Sequence, residues 1–387
     1  MKSTASVRAW YRPMRARRRD EAHRAATPLE LFFDLCFVVA VALASEGLHH
    51  DVAEGHVGHG LVGYLSVFFA IWWAWVNFTW FASAYDTDDD VYRLTVLVQI
   101  AGALILAAGV PRAFSEADFT TITYGYVVMR LAATVNWLRA AAGDPAHRAT
   151  ALTFAVGVGV VQAGWLLRLL LPPAWLMPAF VVLVAADLLV PVLGERRRQT
   201  TWHPHHISER YQLFTLIVLG EAVLSTSVAI QRGVDAGNGQ LWSLAAAGTL
   251  IVFAIWWLYF DRPDPLPPTS VRGALAWGYG HYFVFSSIAA VGAGLSVAVD
   301  HELHTGHASA RVAGYAVAVP VAVYLVALWA LHLPAKRGAG RVLFPAAAAL
   351  VLVTPWLFAP VGLVAGVLVV LVAVTLVLRH RTATRTA

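Results

Sequence analysis

The sequence predicts an all-α integral membrane protein of about twelve transmembrane helices, arranged as two six-helix repeats of the same orientation. Three observations predict it. Hydrophobic residues make up 59% of the chain and charged residues 13%, about half the ~25% charged fraction of a soluble domain. The apolar residues come in runs near the ~20 residues that a helix needs to cross ~30 Å of hydrocarbon. The basic residues, assigned loop by loop, gather on one side of the membrane. A net charge of +5 then needs no nucleic acid to explain it. Cys36 has no second cysteine to pair with in the chain, so cysteine says nothing about compartment.

Taken in order, residues 1–26 form a basic cytoplasmic tail with Arg8, Arg12, Arg15, Arg17, Arg18, Arg19 and Arg24. It reads as a solvated topology signal rather than a lipid-binding arm. The first span, 27–45, contains Glu30 and Asp34. A cleavable signal segment does not normally carry such charges, so this helix is retained. Further spans fall at 60–84, 93–110, 119–139, 149–171 and 174–194. The second set lies at 207–229, 239–260, 271–297, 310–331, 341–353 and 356–378, the eleventh being the shortest. With the N-terminus inside, all but five of the 28 Lys and Arg residues are cytoplasmic or flank the cytoplasmic ends. Lys336 and Arg337 belong to that set. Arg112, Arg232 and Arg311 fall outside, and Arg130 and Arg168 lie within spans. Omitting one span would scramble this bias for every later loop. The expected location is the cell membrane, multi-pass, with both termini cytoplasmic.

The chain also repeats. Ile71-Trp72-Trp73-Ala74-Trp75-Val76-Asn77 matches Ile255-Trp256-Trp257-Leu258-Tyr259-Phe260-Asp261, and Ser45 matches Ser225. Val91-Tyr92-Arg93 parallels Ser270-Val271-Arg272, and the Pro-Trp segment at 171–176 has a counterpart at 353–357. These matches keep one order and a common offset. They divide the membrane part into repeats at 27–198 and 203–380, related by an axis along the membrane normal because each holds an even number of spans.

Three stretches carry a family resemblance. Thr27-Pro28-Leu29-Glu30-Leu31-Phe32-Phe33-Asp34 resembles the opening motif of the bacterial low temperature requirement protein A family. Tyr85-Asp86-Thr87-Asp88-Asp89 and the stretch from Ser208-Glu209-Arg210-Tyr211 to Leu219-Gly220-Glu221 resemble its other two signatures. Similarity runs from about residue 25 to 380. The resemblance implies a polytopic bacterial membrane protein, in a family named for a cold-growth phenotype, and brings no established biochemical activity with it.

Charges inside spans are the candidate site residues, because a carboxylate in hydrocarbon costs several kcal/mol unless paired, hydrated or protonated. Glu30 and Asp34 share a helix face at i and i+4. The structural alternative pairs Asp34 with Arg130 or Arg168. Aligning Ser225 with Ser45 puts Glu221 on the stripe that holds Asp34, and puts Arg210 in the place of Glu30. Glu221 is then the costliest charge in the chain, near the middle of its span. Glu209 and Arg210 read as an interfacial cap and anchor. Lesser candidates are Asp187, Asp261 and His281. Asp261 is followed by Arg262, Pro263, Pro265, Pro267 and Pro268, which mark a cytoplasmic loop and favour a helix-terminal pair. His281 is a partner for Glu221 or a helix-packing histidine. Trp73 and Trp257, with Asn77, are candidates to line a cavity, against interfacial anchoring as the ordinary reading. Asp86 opens an acidic turn through Asp90 that suits capping of the third span better than metal binding, since the EF-hand glycine and glutamate are missing.

Histidines cluster at His49, His50, His56 and His59, at His301, His304 and His307, and at His203, His205 and His206. None matches a zinc spacing, so no metal or cofactor is expected. No phosphate-binding glycine loop or nucleophile elbow is present. The leading reading is a proton- or cation-linked transporter or channel using Asp34 and Glu221. The alternatives are a structural or regulatory membrane protein for cold adaptation, or an intramembrane lipid-modifying enzyme. Expected partners are membrane lipids and H⁺ or a cation, with no nucleic acid. The sequence leaves oligomeric state open.

Overall fold

The computed structural model describes residues 10–18, 21, 24–237, 239–261, 266–332 and 340–386. Arg8, Arg19, Arg262, Lys336 and Arg337, and the loop prolines Pro263 and Pro265, lie outside the described residues. Among the described residues there are twelve α-helices and no strand. They are α1 (Pro28–Ala53), α2 (Val57–Tyr85), α3 (Asp90–Ser115), α4 (Thr120–Gly143), α5 (Arg148–Arg168) and α6 (Pro173–Arg197). Then come α7 (Pro204–Ala236), α8 (Gly239–Phe260), α9 (Val271–Leu303), α10 (Ala310–His332), α11 (Gly340–Val353) and α12 (Pro360–Thr386).

Ten of these are long and apolar enough to cross a membrane; α4 and α11 are the other two. Polarity sets α4 apart, for it buries Arg130, Asn136 and Arg139. Length sets α11 apart, with 14 residues before a 3-10 turn at Thr354–Trp356. Several helices outrun their apolar cores. α1 continues to Ala53, so His49 and His50 are helical rather than in a loop. Gly55, at φ 86°, then turns the chain into α2, a backbone shape that glycine adopts without strain.

The described residues form two compact units. The first gathers the residues through Ala40, Ala70–Arg210 and Leu266–Ala276; the second gathers Val41–Phe69, Tyr211–Pro265 and Trp277–Ala387. In the first unit α3 packs on α4, α4 on α5 and α5 on α6. The α3–α4 approach depends on Gly102 and Gly125. A Cβ on Gly102 would stand 2.7 Å from the carbonyl oxygen of Gly125, and one on Gly125 would strike the backbone of Leu106. Small residues allow such close backbone packing where lipid supplies no hydrophobic drive between helices. In the second unit α10 packs on α11, α11 on α12 and α12 on α8. Tyrosine hydroxyls tie its helices together: Tyr64 donates to Ser286 O at 2.6 Å and Tyr324 to Ile255 O at 2.8 Å.

The tail departs from expectation. Its described part is not a solvated signal but packed against the first unit, with Met14 fully buried and Arg24 7% exposed. Arg17 N donates to Ala84 O, and the Arg24 guanidinium donates to Ala82 O and Ser83 O. These are carbonyls of the last turn of α2, where helical partners run out, although Ala82 O also accepts from Asp86 N at 3.1 Å. The basic residues that mark topology thus also close a helix end.

Candidate functional site

The first helix begins with a capping box. Thr27 Oγ1 accepts from Glu30 N at 3.3 Å, and Glu30 Oε2 accepts from Thr27 N at 2.7 Å. Pro28 occupies the first helical position, where its missing N–H is not needed. This fixes Glu30 in the first turn and leaves its other oxygen turned to the protein. One turn on, Asp34 receives Arg210 of α7 as a two-pronged partner: Nε to Oδ2 at 2.9 Å and Nη2 to Oδ1 at 2.6 Å. Trp75 Nε1 adds a third donor to Asp34 at 2.7 Å. Arg210 Nη1 and His206 Nε2 stand 3.2 and 3.1 Å from Glu30 Oε1. Phe78, stacked on Phe33, lies under the Arg210 guanidinium.

Arg210 is therefore fully buried, not the interfacial anchor expected from its place near the start of span seven. Arg24 extends the cluster. Its Nη2 lies 3.6 Å from both Glu30 and Asp86, and Arg17 lies 3.6 Å from Asp86. Arg17, Arg24 and Arg210 thus balance Glu30, Asp34 and Asp86. Burial pushes the Asp86 carboxyl up to about 6, and nearby Glu30 pushes the same way against Arg24 and Arg17. Glu209 Oε2 accepts from Ala26 N at 3.2 Å and steadies the entry to α1. Arg139 and the backbone of Arg12 donate to Asp89, whose other oxygen caps α3 through Tyr92 N. The acidic turn is thus a helix cap joined to a docked tail.

The two arginines considered as partners for Asp34 are engaged elsewhere. Arg130 Nη2 donates to Asp187 at 3.1 Å, with Trp165 Nε1 donating to its other oxygen at 2.8 Å. Arg168 donates to Leu176 O. The Arg130–Asp187 pair is as buried as the Asp34 pair, with Arg130 2% and Asp187 0% exposed. Gln162, also 2% exposed, has no hydrogen-bond partner for either amide atom among the described residues. Asp187, a lesser candidate from the sequence, is thus held as closely as Asp34.

Glu221 belongs to the second unit and is arranged differently. It is half-buried on α7, and among the described residues no cation or hydrogen-bond donor meets its carboxylate. Gly292 of α9 faces it so closely that a Cβ there would stand 3.1 Å from Glu221 Cγ. His281 is not its partner. The His281 ring donates from Nδ1 to Trp277 O at 2.8 Å and packs among Tyr211, Trp277 and Phe285.

The remaining candidates separate. Trp73 is fully buried, whereas Trp257 is 39% exposed on α8. Asn77 donates back to Trp73 O within its own helix. Asp261 pairs with Arg379 at 2.7 Å, a helix-terminal pair whose cation comes from α12. Three histidines of the loops and helix ends each pair with one carboxylate, His49 with Asp300, His59 with Asp51 and His307 with Glu54, while His301 and His304 bond backbone carbonyls. Among the described residues no three His, Cys, Asp or Glu side chains converge as metal ligands.

Comparison with known proteins bears on this arrangement. The chain is 26% identical over 295 residues to an uncharacterized protein of Rhizobium meliloti (strain 1021), covering 71% of this chain and 70% of that one. The model of the bacterial low temperature requirement A protein family (LtrA) matches residues 25–378, a range that starts at the docked tail and ends in α12. With ten long apolar helices over that range, this is a multi-pass membrane protein, and the chain belongs to the bacterial low temperature requirement A family.

Proposed function

We propose that this protein carries H⁺ or a cation across the cell membrane, with both termini in the cytoplasm and Glu221 as the group that takes up and releases the charge. The observation that supports this most is the carboxylate of Glu221, set within a membrane-spanning helix without a cation or donor among the described residues. A carboxylate in that setting is stabilised by binding a proton or a metal cation. Asp34 has a different part. Three donors already hold it, so it joins α1 to α7 rather than exchanging a proton. The side of the membrane follows from the distribution of Lys and Arg.

The test is flux into liposomes containing the purified protein, followed by an internal pH dye and by cation tracers. We expect Glu221→Gln to abolish uptake while leaving helical content unchanged. Uptake equal in wild type and Glu221→Gln would overturn the assignment. The buried ion pairs of Asp34, Glu30 and Asp187 favour a second reading, a protein whose charges serve helix packing alone. That reading gains if Glu221→Gln changes only thermal stability.

A further inference from the structure

A groove of about 510 Å³ runs along the second unit between α1, α2, α9 and α10. Its floor is made of small residues of one α9 stripe, among them Ser286, Ala290, Ala293 and Gly294. Leu61, Leu65, Phe283 and Val319 form its rim and are themselves 43–55% exposed on membrane-crossing helices. The groove therefore opens sideways into hydrocarbon. Its walls are mostly apolar, and two of their hydroxyls are already engaged: Tyr64 donates to Ser286 O, and Ser287 to Val284 O. Length is also telling. At 1.5 Å per residue, the lining from Val57 to Leu65 on α2 and from Val312 to Val323 on α10 is on the order of 12–17 Å long. One leaflet is about half of a ~30 Å hydrocarbon core.

The groove starts at helix ends, near the start of α2 and of α10. Arg311 lies there, one turn before the groove residue Tyr315. The guanidinium sits 3.9 Å over the ring of Trp356, whose Nε1 donates to Tyr315 Oη at 2.6 Å. Arg311 is exposed and has no carboxylate partner among the described residues. An aromatic pair with a cation at this depth suits the headgroup level.

We propose that this groove holds one phospholipid, an acyl chain lying along α9 and the phosphate held at Arg311. The mostly apolar wall selects a hydrocarbon chain, and the guanidinium selects an anionic headgroup. Glu221 lies on the far side of α9: Gly292, which faces it, is about 160° around the helix from the groove stripe at 100° per residue. The lipid site is thus separate from the proposed charge-carrying group and does not depend on it.

Native mass spectrometry of protein extracted from nanodiscs of phosphatidylglycerol and diacylglycerol tests this. We expect one phosphatidylglycerol retained per chain. Val319→Trp, or Leu61→Trp on the facing rim, is expected to cut retention at least tenfold, whereas the exposed control Leu170→Trp retains it. Arg311→Ala is expected to erase the preference for phosphatidylglycerol over diacylglycerol. Equal retention in wild type and in both folded occluding variants would overturn the proposal, as would finding a second copy of the chain or an uncharged isoprenoid in place of the phospholipid.

Discussion

Arg210 holds two carboxylates at once, and that makes it the residue whose loss the first unit tolerates least. Its guanidinium is fully buried and donates to both oxygens of Asp34 while lying beside Glu30. Removing one member of a buried pair leaves the other charge unpaired, at a cost of about 3–5 kcal/mol. We expect Arg210→Met to lower thermal stability in detergent by that order. Combining it with Asp34→Leu and Glu30→Gln is expected to recover most of the loss, because no orphan charge then remains. Asp86 makes a pH prediction. Burial raises its carboxyl to about 6 from an ordinary 3.8. Between those values the folded chain keeps a proton that the unfolded chain has lost, so this group's contribution to stability falls as pH rises from 4 to 6 and is flat above. The full span is about 3 kcal/mol. Unfolding of Asp86→Asn, measured at pH 4, 5 and 6, is expected to lack that decline. A variant as pH-sensitive as wild type would place the effect elsewhere.

At the scale of the element, the helices were legible in the sequence and their partners were not. Twelve apolar segments read from the chain correspond to twelve helices, because the length needed to cross hydrocarbon leaves little freedom. The Asp86–Asp90 turn was readable as a cap because capping is local, and the structure has Asp89 in that role. The box joining Thr27 and Glu30 is equally local, in a Thr-Pro-Leu-Glu stretch, but Glu30 also forms an i, i+4 pair with Asp34, which points away from a cap. The Asp34–Arg210 bond had no such signal. Its partners are 176 residues apart, and the repeat register set Arg210 against Glu30 as an equivalent, not as a neighbour. Helix packing adds one prediction. A Cβ on Gly125 would strike the α3 backbone, so Gly125→Leu is expected to separate α3 from α4. Cysteine cross-linking between the two helices would report the loss.

At the scale of the whole molecule, charge has been placed in two contrasting ways. The first unit matches its buried acids with arginines and carries part of the N-terminal tail into that balance. The second unit leaves Glu221 without a cation partner among the described residues. The difference underlies the expectation that flux responds to Glu221 and stability to Arg210, so the two measurements separate transport from packing.

The reach of the Asp34–Arg210 bond also bears on how the protein is made. Translation proceeds at roughly 5–20 residues per second, so α7 follows α1 from the ribosome by about 10–35 s across the 176 residues between Asp34 and Arg210. For that interval Glu30 already has Arg24, 3.6 Å away in the folded chain, whereas the arginine of Asp34 does not yet exist. Asp34 therefore gains its cation only when α7 has been made.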